Sequence, residues 1–125
     1  MTAPPLRYEL VVPDSARLGE PVTITIRITN TSAEAVDAYF VGREIAFDIV
    51  VRKSEGGEVV WRRLEGKAVQ QVLQVRHFKP GETLELSDVW KPRQGGHYLV
   101  EGVVMGDTGE RKTGERHIVV ARSVR

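Results

Sequence analysis

The chain of 125 residues contains no cysteine. Disulfide bonds, thiol chemistry and zinc sites built on cysteine ligands are therefore excluded. A chain that folds without disulfides suits a reducing compartment. We therefore expect the protein to reside in the cytoplasm.

An excess of charge of either sign is also missing. Eighteen Lys and Arg residues against 17 Asp and Glu residues give a formal net charge of +1, and aromatic residues make up only 6% of the chain. The two signs are interspersed, without a polybasic arm, an acidic tail or basic residues interleaved with aromatic ones. Nucleic acids are bound by clustered basic charge and by aromatic stacking surfaces. Neither a nucleic acid nor a membrane surface is expected as a partner.

Long apolar runs are absent as well. No stretch approaches the ~20 consecutive apolar residues that a membrane helix needs. The first ten residues, MTAPPLRYEL, lack the basic region and the apolar core of a signal peptide. We therefore expect neither a membrane span nor a signal peptide. The length fits one domain with one core, over residues 1–125.

Alternation of apolar and polar residues is the dominant pattern of the chain. Between residues 22 and 29, four β-branched apolar residues alternate with polar ones, which predicts a half-buried strand. No stretch of ten or more residues has a helical period. Short strands separated by turns are typical of a sandwich, so we predict an all-β, Ig-like antiparallel β-sandwich of about seven to nine strands without a disulfide. The other predicted strands are 6–12, 37–41, 46–53, 58–63, 69–78, 84–89, 98–105 and 117–121.

The turns between these strands carry the residues that turns favour. Ser54-Glu55-Gly56-Gly57 is predicted to join two strands in a hairpin, because glycine adopts positive φ without steric cost. In Lys79-Pro80-Gly81-Glu82, proline presets φ and glycine takes the left-handed position.

One segment allows two interpretations. Val69, Gln71, Leu73 and Val75 follow one alternating face, which predicts a strand. With Val72 in place of Gln71, the same apolar residues nearly fit a helical spacing. A helix therefore remains the alternative here.

Asp107-Thr108-Gly109 matches the catalytic triplet of aspartic proteases. Their chemistry needs two aspartates that share one proton in a buried site. A strongly charged run, Glu110-Arg111-Lys112, follows the triplet here. Asp-x-Gly between two strands is ordinary hairpin chemistry, and the turn interpretation is favoured.

Other combinations of polar residues also have an ordinary structural explanation. His77, His97 and His117 are evenly spaced and could hold zinc, but equal spacing also follows from strands of equal length. Three acidic residues on the strand after Pro80 are more typical of a solvent face than of a carboxylate hydrolase. No nucleophile elbow or phosphate loop is present. We expect no metal, no cofactor and no enzymatic activity, and we expect both tryptophans in the core.

The order of landmarks along the chain is more specific than any single motif. It runs from Gly19-x-Pro21-Val22 through Val59-Val60-Trp61-Arg62 to Pro80-Gly81-Glu82, Trp90 and Gly96-x-Tyr98. Over roughly residues 10–104 this order resembles the BsuPI family, the intracellular proteinase inhibitors of bacteria. The resemblance implies an Ig-like sandwich and a monomer that inhibits a subtilisin-like serine protease without a cofactor. The matched residues are mostly structural, so an Ig-like interaction module with another protein partner remains the alternative.

An inhibitor of this kind would contact the protease through a loop on a rigid scaffold. Three loops qualify: 40–45, 64–67 and 91–96. The second offers an exposed leucine to an apolar specificity pocket, and in the third a proline limits flexibility. The partner-binding residues predicted from these last two loops are Leu64, Glu65, Lys91, Pro92, Arg93 and Gln94.

Overall fold

The computed structural model describes residues 5–122. Residues 1–4 of the N-terminal stretch and residues 123–125 of the predicted domain lie outside the described residues. Residues 5–122 form ten strands and no helix, so none of their segments is an apolar helix of membrane-spanning length. The strands are β1 (Leu6–Val11), β2 (Ser15–Arg17), β3 (Val22–Asn30), β4 (Val36–Val41), β5 (Phe47–Lys53), β6 (Val59–Arg62), β7 (Leu73–Phe78), β8 (Thr83–Trp90), β9 (Gly96–Gly106) and β10 (Gly109–Ala121).

The strands form two sheets, which confirms the predicted all-β sandwich. The first sheet has the order β1-β3-β8, and both of its pairs are antiparallel. The second sheet contains the other seven described strands, including the short β2, which the sequence did not predict and which pairs in parallel with β10. In this sheet β9 pairs with β10 on one side and with β5 on the other, and β6 extends the sheet beyond β5. The β4–β7 ribbon joins β9 through one residue pair, Phe40 and Gly106.

The core lies between the two sheets and follows the alternation in the sequence. The isoleucines of β3 at positions 24, 26 and 28 are completely buried, as are Ile49 of β5 and Ile118 of β10. Trp90 is buried as predicted and meets Tyr98 edge to face, with ring centroids 5.1 Å apart. Trp61 was also expected in the core, and this expectation is wrong: the side chain is only half-buried and packs against the core from outside.

The segment from Val69 to Phe78 contains a strand, and the helical alternative is wrong. The strand covers only Leu73–Phe78, and residues 69–72 have no regular structure. The alternating face that contains Leu73 and Val75 is the solvent face, with exposures of 61% and 53%. Phe78 instead enters the core, where its ring lies 6.4 Å from that of Phe40.

The predicted Pro-Gly turn after β7 is confirmed, and a buried asparagine holds it in place. Asn30, completely buried at the end of β3, donates from Nδ2 to the carbonyls of Phe78 (3.1 Å) and Glu34 (2.8 Å). The backbone carbonyl of Asn30 accepts a hydrogen bond from the Gly81 N–H at 2.9 Å. One residue, through its side chain and its backbone carbonyl, therefore fixes the ends of β3 and β7 and the turn between β7 and β8.

The two sheets are in close contact at a glycine of β9. A Cβ added to Gly102 would lie 2.7 Å from both Cγ1 and Cδ1 of Ile26 on the opposite sheet. Real side chains do not approach so closely, so a glycine is required here for close contact between the sheets.

We predict that Gly102→Ala lowers the free energy of unfolding by about 1–3 kcal/mol, because it overpacks a dense core. Urea denaturation measures the loss. The double variant Gly102→Ala with Ile26→Ala serves as the control, since Ile26→Ala removes both Cγ1 and Cδ1, the two atoms nearest to the added Cβ. A double variant that shows the full sum of the two single losses would contradict the contact.

Candidate functional site

Asp48 is a charged residue within an apolar strand, and its carboxylate holds the turn that follows β6 in place. Its side chain is buried against the turn that follows β6. Oδ1 accepts the N–H groups of Ile49 (2.9 Å) and Leu64 (3.0 Å). Oδ2 accepts Nη2 (2.8 Å) and Nε (3.2 Å) of Arg62. The hydrogen bond to Asp48 raises the pKa of the Arg62 guanidinium.

Arg63, the residue after Arg62, connects the turn that follows β6 to both sheets. Its guanidinium lies over the Phe47 ring, 3.6 Å from the centroid, and Nη1 donates to the Phe47 carbonyl at 2.8 Å. Nε donates to Oδ2 of Asp88 on β8 at 3.0 Å. The predicted loop 64–67 therefore starts from two consecutive arginines that are held in place.

The predicted loop at Leu64 is a pair of tight turns rather than an extended segment. The Glu65 N–H donates to the Arg62 carbonyl (3.3 Å) and the Lys67 N–H to the Leu64 carbonyl (3.0 Å). Glu65 is exposed, whereas Leu64, which was expected to be exposed, is half-buried. After Lys67 the chain runs without regular structure to β7, and most of its side chains are exposed.

A second predicted loop, 40–45, lies next to this turn. The Gly42 N–H donates to the Val72 carbonyl at 2.7 Å. The side-chain amide of Gln74 donates to the carbonyls of Gly42 (2.6 Å) and Arg43 (2.5 Å). Residues 42–46, 63–64 and 67–70 together line a cleft of about 540 Å³. We call this region, residues 42–46 and 63–72, the Leu64 end of the sandwich.

The third predicted loop, 91–96, lies at the opposite end of the sandwich. Strand β5 runs from Phe47, beside Val104, to Lys53, beside Tyr98 at the start of β9. The two ends are therefore separated by the seven residues of β5, about 20 Å. The six predicted contact residues form two separate surfaces.

Loop 91–96 is also held in place, in part by the proline predicted as a contact residue. Pro92 is buried, and its carbonyl accepts the Gly19 N–H at 3.3 Å. The Tyr98 hydroxyl donates to the Gln94 carbonyl at 2.6 Å. The side chains of Lys91, Arg93 and Gln94 are exposed, so only these three can reach a partner without a rearrangement of the loop.

The three histidines do not form one site. His97 and His117 stack on neighbouring strands, with Nδ1 of the first 3.1 Å from Nε2 of the second. His77 lies on β7 and contacts Oδ1 of Asp37 at 2.6 Å. Within residues 5–122 no group of three or more His, Cys, Asp or Glu residues could hold a metal ion.

The remaining acidic candidates lie in turns or in ion pairs. Asp107 is exposed at the β9–β10 turn, where its N–H donates to the Tyr39 carbonyl at 3.3 Å. On β8, Glu85 pairs with Arg27 (3.0 Å), while Asp88 pairs with Arg63. Each carboxylate of this strand has its own arginine, which is the arrangement of a solvent-facing strand.

An exposed apolar face on the β4–β7 ribbon was not predicted. Tyr39 of β4 lies opposite Val75 of β7, and Leu73 lies two residues before Val75. The exposed fractions of the three side chains are 50%, 53% and 61%. The sequence signal was the alternation of Leu73 and Val75, but alternation does not tell which face meets the core. This face, Tyr39 with Leu73 and Val75, adjoins the Leu64 end through Val72.

Comparisons with known proteins agree on the fold and point to one family. The family model described as BsuPI, intracellular proteinase inhibitor, matches residues 8–109, most of the chain. No curated protein matches the chain.

Solved structures with the same fold are distant in sequence. The CARDB domain of a protein from Pyrococcus furiosus, solved in complex with di-metal ions, has a TM-score of 0.53 at 14% identity, with 94% of each chain covered. Spo0M, a sporulation control protein from Bacillus subtilis, has a TM-score of 0.55 at 13% identity, and the match covers 95% of this chain and 50% of Spo0M. A cycloisomaltooligosaccharide glucanotransferase from Paenibacillus sp. has a TM-score of 0.51 at 20% identity, covering 92% of this chain and 13% of the enzyme. At these identities the likeness establishes the fold alone.

We predict that Asp48→Ala lowers the free energy of unfolding by about 1–3 kcal/mol, because it leaves the Leu64 N–H without its acceptor. Hydrogen exchange at the Leu64 amide becomes faster in the same variant. The matched control is Asp37→Ala, which removes an exposed carboxylate that pairs with His77 and changes stability by no more than about 0.5 kcal/mol. Equal losses in the two variants, measured by urea denaturation, would show that Asp48 does not anchor the turn.

Proposed function

This chain belongs to the BsuPI family of intracellular proteinase inhibitors, and we propose that it inhibits a subtilisin-like serine protease of the cytoplasm through the Leu64 end. We choose the Leu64 end as the contact surface because Asp48 anchors the 64–67 turn. The protein acts by stoichiometric binding and performs no chemistry itself.

Rigidity is the property that an inhibitory surface needs. Each flexible side chain that becomes ordered on binding costs about 0.5–1.5 kcal/mol, so a preorganised turn binds more tightly than a mobile one. Disulfides cannot supply rigidity in a chain without cysteine. The pair of Asp48 with Arg62 and the contacts of Arg63 with Phe47 and Asp88 constrain the turn instead.

The composition of the two ends favours the Leu64 end over loop 91–96. Interfaces are dominated by a few apolar or aromatic anchors surrounded by polar residues. The Leu64 end has a half-buried leucine above a cleft and adjoins the exposed β4–β7 face. The exposed side chains of the 91–94 stretch are Lys91, Arg93 and Gln94, which provide no apolar anchor.

The shape of the Leu64 end suits occlusion of a substrate cleft. The tight turns over residues 62–67 are followed by residues 67–72, which have no regular structure. A segment without its own hydrogen-bonded structure can align with the edge of a protease as an added strand. In this arrangement Leu64 fills an apolar specificity pocket while the following segment covers the cleft.

We predict that the wild-type chain, titrated against a subtilisin-type protease, abolishes peptide hydrolysis at a molar ratio near one. Mass spectrometry of the mixture shows the chain intact, which distinguishes an inhibitor from a competing substrate. Undiminished hydrolysis at a micromolar excess of the chain would contradict the proposed class of target.

We predict that Leu64→Ala raises the inhibition constant at least about ten-fold, the effect of a typical anchor residue. The control is Arg93→Ala at the opposite end, which changes the constant by less than about two-fold because truncation of most surface side chains costs little binding energy. Thermal unfolding verifies that both variants are folded. The reverse pattern would move the contact surface to loop 91–96.

A further inference from the structure

Strand β7 is an edge of the second sheet, and its outer backbone groups are unpaired. Among the described strands only β4 pairs with it. The Gly42 N–H donates to the Val72 carbonyl, and hydrogen-bonded pairs alternate along an antiparallel ladder. The N–H and C=O groups of Leu73, Val75 and His77 therefore point away from β4, toward the open edge.

This edge has few of the features with which proteins usually prevent edge strands from pairing. Such features are charged side chains, proline, bulges or a very short strand. Strand β1 has Arg7 and Glu9 on its solvent face, and β2 has only three residues. In β7 the exposed face carries Leu73 and Val75 before His77, and Arg76 is the one Lys or Arg residue of the strand. The pairing of β7 with β4 is regular, without a bulge.

We propose that the open edge of β7, from Leu73 to His77, pairs with an extended segment of the target protease. This proposal rests on the proposed inhibitory function and adds a second contact to it. The unpaired backbone groups require a strand as the occupant, and the apolar side chains require one with apolar residues on the matching face. The same partner reaches both contacts, because residues 67–72 lead directly from the 64–67 turn into β7.

The size of the exposed face favours the protease over a second copy of the chain. A stable interface buries about 800 Å² on each partner, more than Tyr39, Leu73 and Val75 can provide alone. The edge becomes part of a complete interface only when the adjoining Leu64 end is covered as well. A partner that occupies the Leu64 end therefore gains the β7 edge at the same time.

The decisive variant is Val75→Pro. Proline removes the N–H that points to the open edge and leaves the ladder with β4 intact, and proline is tolerated where an edge N–H faces solvent. We expect the inhibition constant for the subtilisin-type protease to rise about ten-fold, the effect of one lost hydrogen bond with its neighbouring contacts. The melting temperature stays within a few degrees of the wild-type value.

A matched pair of variants distinguishes the contribution of the Val75 side chain to inhibition from that of its backbone N–H. Val75→Thr keeps the N–H and the branched shape but lowers the apolarity, and we expect a smaller rise than for the proline variant. Val89→Thr makes the same change on β8, at a valine of 47% exposure compared with 53% for Val75. We expect Val89→Thr to leave the inhibition constant unchanged.

Hydrogen exchange on the wild-type complex tests the edge without any substitution. We expect the amides of Leu73, Val75 and His77 to exchange more slowly in the complex than in the free chain.

If the proline variant folds and inhibits like the wild type, or if these amides gain no protection, the edge proposal is wrong while the inhibitory function stands. If the wild type inhibits no such protease, the proposed function itself fails. Sedimentation showing a dimer that Val75→Pro dissociates would assign the edge to a second copy and overturn the proposal.

Discussion

The carboxylate of Asp48 is a charge that the fold removes from water, and the surrounding chain is arranged to compensate it. A buried carboxylate is tolerated only when its lone pairs accept hydrogen bonds and a positive charge lies close. Here two backbone N–H groups and one guanidinium meet these needs. Since two of the three donors belong to residues 62–64, the chain can leave β6 in only one direction. The position of the Leu64 end therefore depends on this interaction.

The sequence predicts much of the fold because many of its signals are local. The alternation in β3, the glycines after β5 and the Pro-Gly pair after β7 each act within a few residues, and the structure has a strand or a turn at each place. The orientation of β7 was not predictable in the same way. Its solvent face is set by the pairing with β4 and by Phe78, which occupies the core. A period of two defines two faces but does not identify the buried one.

The candidate site was predictable only in part, for a related reason. Leu64 and Glu65 were identified as loop residues. Loop 40–45 lies beside them because β5, which follows that loop, binds Arg63 and Leu64 through Phe47 and Asp48, and the sequence does not reveal these contacts. Pro92 was predicted as a contact residue, but its side chain is buried and helps to hold the loop in place. Asp48 did leave a signal, since a single acidic residue between Phe47 and Ile49 interrupts an apolar strand. Such a residue marks a buried charge whose partners remain to be found.

The pairing of β3 with β8 has a consequence for the order of folding. Thr25 and Ser87, which share a hydrogen bond across these strands, are 62 residues apart in sequence. Closing so long a loop is entropically costly, and folds dominated by such contacts form slowly, in milliseconds to seconds. During synthesis, β3 leaves the ribosome long before β8 is available to cover its edge. The isoleucines of β3 remain open to misassociation during that interval, so we expect the nascent chain to be most prone to aggregation before Trp90 has left the ribosome.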